Sequence, residues 1–350
     1  MKYVPLGRTG LEVSRVCLGT MTWGTQNNQA DADEQIEYAL ANGVNFMDTA
    51  EMYSVPPTEE SYGKTETIIG DWLSRNPERR KEFILATKIA GPGLAYVRGG
   101  SNISGKTIVE AVDASLKRLQ TDYIDLYQLH WPNRTTPHFS KHFPGAITFT
   151  DVDHEEQSAQ ILDILHGLDA CIKAGKIRHF GLSDDTTWGI NEFIRLSEKH
   201  DLPRVASIQN EFSLLHAKDW PYLVENCVYE DVAYLPWSAL AAGALTGKYL
   251  GGARPEGSRW TYAQRNGIFR DTPLVEKAVT AYLDVAKKHS FTPAQLALAW
   301  CNQVDGVTST IIGATSLEQL KEDMAAFDMS LSEEALKDIM AVFKEYPVPF

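Results

Sequence analysis

The 350-residue chain is poor in cysteine, in basic charge and in long apolar runs. Its four cysteines, Cys17, Cys171, Cys227 and Cys301, are far apart and form no Cys-x-x-Cys pair. They read as reduced structural thiols, and no metal site is expected. No apolar run reaches the roughly 18 residues of a membrane-spanning helix, so no membrane partner is expected. The first residues show no basic segment followed by an apolar one, so no signal peptide is expected either. Lys and Arg number 33 against 46 Asp and Glu, a net charge of -13. That argues against broad binding to nucleic acid or anionic membrane, but leaves room for a small basic pocket that takes a phosphate. No G-x-G-x-x-G follows the first strand-like run, so the Rossmann fingerprint is missing. There is no internal repeat, low-complexity tract or linker. The expectation is a soluble, cytoplasmic protein of one domain, 1–350, with the oligomeric state left open.

What the chain does contain is alternation. Strand-like segments fall at 15–19, 44–48, 83–88, 123–130, 177–182, 205–209, 232–237 and 309–313. Helix-like segments fall between and after them, at 31–43, 64–75, 106–120, 156–174, 188–200, 216–229, 293–303 and 316–328. Ile108, Val112, Leu116 and Leu119 make one apolar stripe, and Thr292-Pro293-Ala294-Gln295 has the form of a capping box with proline at the first helical position. Strand followed by helix eight times predicts an α/β fold, a (β/α)8 TIM barrel with right-handed crossovers. Residues 2–14, around Arg8-Thr9-Gly10, predict an N-terminal β-hairpin. Segments 272–290 and 332–346 predict extra helices. Long connections at 54–63, 89–105, 131–155 and 239–271 all follow strand C-termini, where barrel loops build sites.

Three successive strands end in titratable groups. Asp48 closes one, with Tyr53 five residues on; Lys88 and His130 close the next two. An ammonium beside a phenol favours phenolate and lowers its pKa. A carboxylate keeps that ammonium charged and in place, and an imidazole opposite can hydrogen-bond a substrate oxygen. The set suits protonation of a carbonyl oxygen as hydride reaches carbon. It holds no strong nucleophile, so the hydride must come from a cofactor. Taken singly, each has an ordinary reading: a structural ion pair, a packed loop tyrosine, a satisfied core histidine.

The later strands offer places for a nicotinamide cofactor over the barrel mouth. Ser183-Asp184 and Gln209-Asn210 can hold a carboxamide. Trp237 is wide enough to stack on its ring. Ala241 to Ala244 allows close backbone approach. Gly313 to Ser316 leads into a helix N-terminus, although Ser316 and Gln319 also fit a capping box there. Lys248 and Arg259 are cations suited to a 2′-phosphate.

These motifs, with Gly19-Thr20-Met21, Leu129-His130-Trp131-Pro132, Gly181-Leu182-Ser183, Ile208-Gln209-Asn210, Leu245-Thr246-Gly247-Lys248-Tyr249 and Ile312-Gly313-Ala314, resemble the aldo-keto reductases over about the whole chain and in the family's order. The resemblance is greatest to a Tas-like bacterial subgroup near the potassium-channel β-subunit branch. It implies NADPH/NADP+ as cofactor and a small aldehyde or ketone as substrate. It implies Tyr53 as proton donor, Lys88 and Asp48 as its tuning pair, and His130 as the substrate-orienting histidine. Gly19, Thr20, Met21, Asp48, Ser183, Asp184, Gln209, Trp237, Ser238, Leu240, Gly243, Leu245, Lys248, Arg259, Gly313, Thr315, Gln319 and Asp323 fall at cofactor positions. Trp23, Tyr53, His130 and Trp131 are expected to line the substrate pocket. The resemblance leaves a rival open, an NADP(H)-binding redox sensor with little turnover; His130 argues against it, since that branch carries asparagine there. Asp184 and Asp323 stand where the family commonly has asparagine. An ionised carboxylate only accepts hydrogen bonds, so weakened cofactor binding is expected, or its loss in a degenerate member.

Overall fold

The computed structural model describes residues 1–139, 141–261 and 269–350. Position 140 of the 131–155 connection and positions 262–268 of the 239–271 connection lie outside the described residues.

The chain opens with a hairpin of β1 (Tyr3–Pro5) and β2 (Glu12–Ser14), paired antiparallel with Tyr3 opposite Ser14. Eight parallel strands follow: β3 (Val16–Gly19), β4 (Phe46–Asp48), β5 (Ile84–Ile89), β6 (Ile124–Leu129), β7 (Ile177–Ser183), β8 (Ser207–Glu211), β9 (Ala233–Trp237) and β10 (Thr310–Ile312). Their order is β10-β3-β4-β5-β6-β7-β8-β9. The ring is closed where Thr308 N–H donates to Tyr234 O at 2.9 Å. This is a (β/α)8 TIM barrel.

The outer helices are α1 (Gln29–Ala41), α2 (Lys64–Arg75), α3 (Gly105–Leu119), α4 (His154–Lys173), α5 (Thr187–His200), α6 (Tyr222–Tyr229), α8 (Pro293–Gln303) and α9 (Leu317–Ala325). The additional helices are α7 (Pro273–Lys288) and α10 (Glu333–Glu345), which pack on one another. Local chemistry sets their ends. Ser104 Oγ accepts from Thr107 N–H and Thr107 Oγ1 from Ser104 N–H, starting α3; Gln120, left-handed at φ 50°, stops it. The Thr292 capping box forms at α8, with Gln295 N–H on Thr292 Oγ1 at 3.2 Å. Helix α6 is shorter than the expected 216–229. Pro221 disfavours α geometry at Trp220, so the helix begins only at Tyr222.

The barrel interior explains where chemistry must lie. Phe46, Ala86, Leu126 and Leu235, with Leu6 and Val13 from the hairpin, form one buried cluster that fills the N-terminal end. The Leu6-to-Leu11 turn carries Gly7 at φ 55°, where a Cβ would meet Ala206 O at 2.6 Å. Two residues further along a strand point the same way. There the inward positions turn polar: Phe46 gives way to Asp48, Ala86 to Lys88 and Leu126 to Gln128. With one end plugged by apolar side chains, this polar layer faces the C-terminal mouth, where barrels carry their sites.

Among the described residues no helix is long and apolar enough to cross a membrane.

Candidate active site

Lys88 is fully buried. Its Nζ donates to Asp48 Oδ2 at 2.5 Å and to Thr49 O at 2.8 Å. Burial works against the ammonium, but Asp48 and the Tyr53 phenol more than offset it, so Lys88 stays above its ordinary pKa. Asp48 Oδ1 accepts two further hydrogen bonds, from Gln128 Nε2 and Gln209 Nε2, each at 2.9 Å. Gln209 Nε2 also donates to Gln128 Oε1 at 3.0 Å. Three strands therefore hold one carboxylate. Gln128 is absent from the sequence-derived set. Only its place two residues beyond the inward Leu126 marks it.

Tyr53 stands on the loop between β4 and α2. Buried Glu51 anchors that loop, accepting from Ala90 N–H at 2.6 Å, from both Arg98 Nη atoms at 2.6 and 2.8 Å, and from Tyr62 OH at 3.1 Å. The Tyr53 ring centroid lies 5.1 Å from Lys88 Nζ and meets the His130 ring edge-on at 5.6 Å. The four expected residues thus converge at one rim. Burial raises the Tyr53 phenol above its ordinary pKa. Lys88 and Arg259 pull it down, and Asp48 and Asp184 push it up. The lysine acts in the expected direction, but desolvation outweighs it. His130 is driven well below the ordinary imidazole value by burial and then by Lys88, so its ring is neutral. Its Nδ1 is buried without a partner.

The wall residues divide. Trp131 is half-buried, its Nε1 donating to Pro92 O at 3.1 Å and its ring 5.1 Å from that of His130. Trp23, expected beside it, is a core residue instead. It is fully buried in the main hydrophobic cluster, and its Nε1 donates to Gln35 Oε1 at 3.2 Å. An apolar ring four residues past a strand has no local signal for which way it turns, and the α1 face claims it.

At the cofactor positions, Ser183 and Asp184 are buried at the end of β7 and Gln209 within β8. Gln209 spends its N–H bonds on Asp48 and Gln128. Trp237 Nε1 donates to Asp184 Oδ1 at 3.2 Å, and Phe139 lies 5.8 Å from the Trp237 ring. Gly19 sits against Ile312 O, where a Cβ would come within 2.8 Å. Thr20 is buried, with Oγ1 on Asp48 O at 2.8 Å. The turn after β9 carries Ser238, Ala241, Ala242 and Gly243 at positive φ. Leu240 is half-buried, whereas Leu245 is packed in the second hydrophobic cluster with its N–H on Leu240 O, so neither its side chain nor its amide is free for a ligand. A Cβ on Gly243 would lie 2.8 Å from Lys248 Cε, so glycine lets that cation close on the turn. Asp323, buried beside Glu322 and faced by Lys248, is pushed up to about 7. Gln319 Oε1 accepts from Thr315 N–H and Oγ1 at 3.1 and 3.0 Å, while Ser316 Oγ caps α9. Gly313 precedes that cap, and a Cβ there would meet Gly19 O at 3.5 Å.

Arg259 is the most telling of these. Its Nη1 contacts Met21 Sδ at 3.3 Å, its Nε has no partner, and among the described residues no carboxylate pairs with it. Burial and Arg270 lower it to about 10. A half-buried cation short of an anion among the described residues fits a phosphate-bearing ligand, so the donor set is compatible with a dinucleotide phosphate.

One trio among the described residues has metal-ligand types within reach of one another: His289, Glu334 and Asp338 on α7 and α10. Lys288 Nζ already lies 2.7 Å from Asp338 and 3.0 Å from Glu334, a resident cation in that place.

Comparison with known proteins gives the family. Residues 15–344 match the model described as the aldo/keto reductase family. "Protein tas" of Escherichia coli (strain K12) is 44% identical over 352 residues, covering 100% of this chain and 99% of that protein. The "uncharacterized oxidoreductase YrpG" of Bacillus subtilis is 30% identical over 98% of this chain and 96% of its own length. A "probable voltage-gated potassium channel subunit beta" of Arabidopsis thaliana is 30% identical over 94% of this chain and 92% of its own.

Proposed function

Because the chain belongs to the aldo/keto reductase family, we propose that it is a cytoplasmic, single-domain NADPH-dependent reductase of small aldehydes or ketones, with Tyr53 as proton donor. The observation that carries this is the convergence of Tyr53, Lys88, Asp48 and His130 above an apolar plug, with Arg259 at the same mouth lacking a carboxylate partner among the described residues.

NADPH supplies hydride when bound. The protein does the rest. Ser183, Asp184 and Gln209 hold the nicotinamide carboxamide, Lys248 and Arg259 the phosphate end. His130 is neutral, and in the tautomer with its proton on Nε2 it donates to a substrate oxygen. Tyr53 gives its phenolic proton to the carbonyl oxygen as charge develops there, and the adjacent ammonium stabilises the phenolate left behind. Asp48 keeps that ammonium aimed. Bulk water then reprotonates Tyr53. The raised phenol pKa means that the proton-bearing form prevails at neutral pH, so reduction should fade only on the alkaline side.

A panel of aliphatic and aromatic aldehydes and ketones, with NADPH and NADH oxidation followed by absorbance, tests the reading. Turnover with NADPH supports it. Binding of NADP(H) with no turnover of any carbonyl would favour the redox-sensor reading, against which His130 presently stands.

A further inference from the structure

The position of Asp184 is at odds with an ionised aspartate. Its side chain is buried at the end of β7, with backbone φ 50°. Among the described residues no Lys or Arg forms an ion pair with it: Lys218 and Arg259 have no carboxylate partner, but neither lies within ion-pair distance of Asp184, and the other cations of this mouth are committed elsewhere. On β5, Lys88 pairs with Asp48. Arg134, from the β6–α4 connection, pairs with Asp185. Arg270 pairs with Glu211 at the end of β8. His138 approaches Oδ1 at 3.7 Å from the β6–α4 connection, but burial takes it down to about 4, so it is neutral and offers no counter-charge. The remaining groups facing Asp184 are acidic or neutral: Glu211, Asp219 after β8, the Tyr53 phenol and Trp237 on β9. Only the Trp237 N–H donates to it, at 3.2 Å, and among the described residues Oδ2 has no hydrogen-bond partner. A buried carboxyl without a cation sheds its charge by keeping its proton.

The hydrogen-bond balance of the carboxamide site points the same way, and this step rests on the proposed cofactor reading. A carboxamide needs an acceptor for its NH2 and a donor for its oxygen. Gln209 Nε2 is spent on Asp48 and Gln128, so Gln209 has only its oxygen to give, an acceptor. The donor must come from the end of β7, where Ser183 offers a hydroxyl and Asp184, when protonated, an O–H.

We propose that Asp184 is a neutral carboxylic acid in the binding-competent protein, and that its O–H donates to the carboxamide oxygen of the nicotinamide. Cofactor binding is then coupled to a proton held on Asp184. The weakened binding expected of an aspartate here does not arise at neutral pH; it appears as pH rises and the carboxyl ionises. Burial, Glu211 and Asp219 push that ionisation well above the ordinary carboxylate range, with the Trp237 bond and Lys88 acting against them.

The test compares the wild type with Asp184→Asn, which keeps the Oδ1 acceptor for Trp237 and supplies a permanent donor. NADP+ affinity is measured by tryptophan fluorescence from mildly acidic to alkaline pH, and infrared spectra of the cofactor-free proteins are recorded alongside. The ratio of the two affinities cancels the titration of the cofactor's own phosphate. The wild type should lose affinity relative to Asp184→Asn by about tenfold per pH unit above the titration point. The free wild type should show a protonated-carboxyl stretch that Asp184→Asn lacks. A constant affinity ratio, or no such difference band, overturns the proposal. A band present while neither folded protein binds NADP+ would overturn the cofactor reading and the donor role with it, yet leave the buried neutral acid in place.

Discussion

Replacing Lys88 by methionine separates the catalytic role of the buried ion pair from its structural one. The ammonium is fully buried, 2.5 Å from Asp48 Oδ2 and 5.1 Å from the Tyr53 ring centroid. Removing it leaves Asp48 as a buried carboxylate without its counter-charge, a change that ordinarily costs about 3–5 kcal/mol of stability. Gln128 and Gln209 still donate to Asp48 at 2.9 Å, so about 3 kcal/mol is expected. The catalytic loss has a different origin. With the 5.1 Å from Nζ to the ring centroid taken as the charge separation and an effective dielectric of about 20, attraction between ammonium and phenolate is about 3 kcal/mol. That corresponds to roughly two pKa units on Tyr53 and to roughly a hundredfold in turnover. Adding Asp48→Asn removes the stranded charge while keeping an acceptor for the glutamines. The double variant should regain most of the stability in urea denaturation and none of the turnover in steady-state NADPH oxidation. Recovery of turnover together with stability would show that Lys88 only holds the fold, and the phenolate argument would fail.

Other consequences are as direct. Arg259→Ala should cut NADPH affinity at least tenfold, from loss of a charge-assisted bond of about 1.5–3 kcal/mol, and leave NADH affinity nearly unchanged; equal losses in a titration would contradict a 2′-phosphate role. Trp23→Ala should cost about 3–5 kcal/mol in denaturation, and substrate KM should barely move in the protein that remains folded, because the ring is core. Burial pushes Asp219 up to about 6, despite bonds from Asn210 and Tyr234. A carboxyl raised on folding favours the native state while protonated, so its penalty develops as pH climbs from the unfolded value of about 4 to about 6 and is complete above that. Asp219→Asn keeps the acceptor and should therefore stabilise the protein by roughly 2–3 kcal/mol at alkaline pH, a gain that shrinks on acidification; a gain independent of pH would refute the assignment.

Much of this architecture is legible in the residues because strands and helices announce themselves by period. The eight strand positions and the inward change from Phe46 to Asp48 or from Ala86 to Lys88 follow from alternation and burial alone. The tetrad is visible because its members close neighbouring strands. What sequence does not carry is partner choice across loops. Nothing local ties Glu51 to Arg98, forty-seven residues apart, or brings His138 and Phe139 to Asp184 and Trp237. Trp23 turns into the core for a reason that lies in α1 rather than in its own neighbourhood. The protonation of Asp184 is likewise invisible in one dimension, since it depends on which cations other carboxylates have already taken.

The proton-donor role of Tyr53 is tested most directly by Tyr53→Phe, with NADPH-dependent reduction of an aldehyde substrate and the NADPH dissociation constant measured on the same preparation. The phenol carries the transferred proton but holds no part of the cofactor, so turnover should fall by about 10²–10⁴-fold while the dissociation constant stays close to that of the wild type. Turnover retained in the phenylalanine variant would contradict the account.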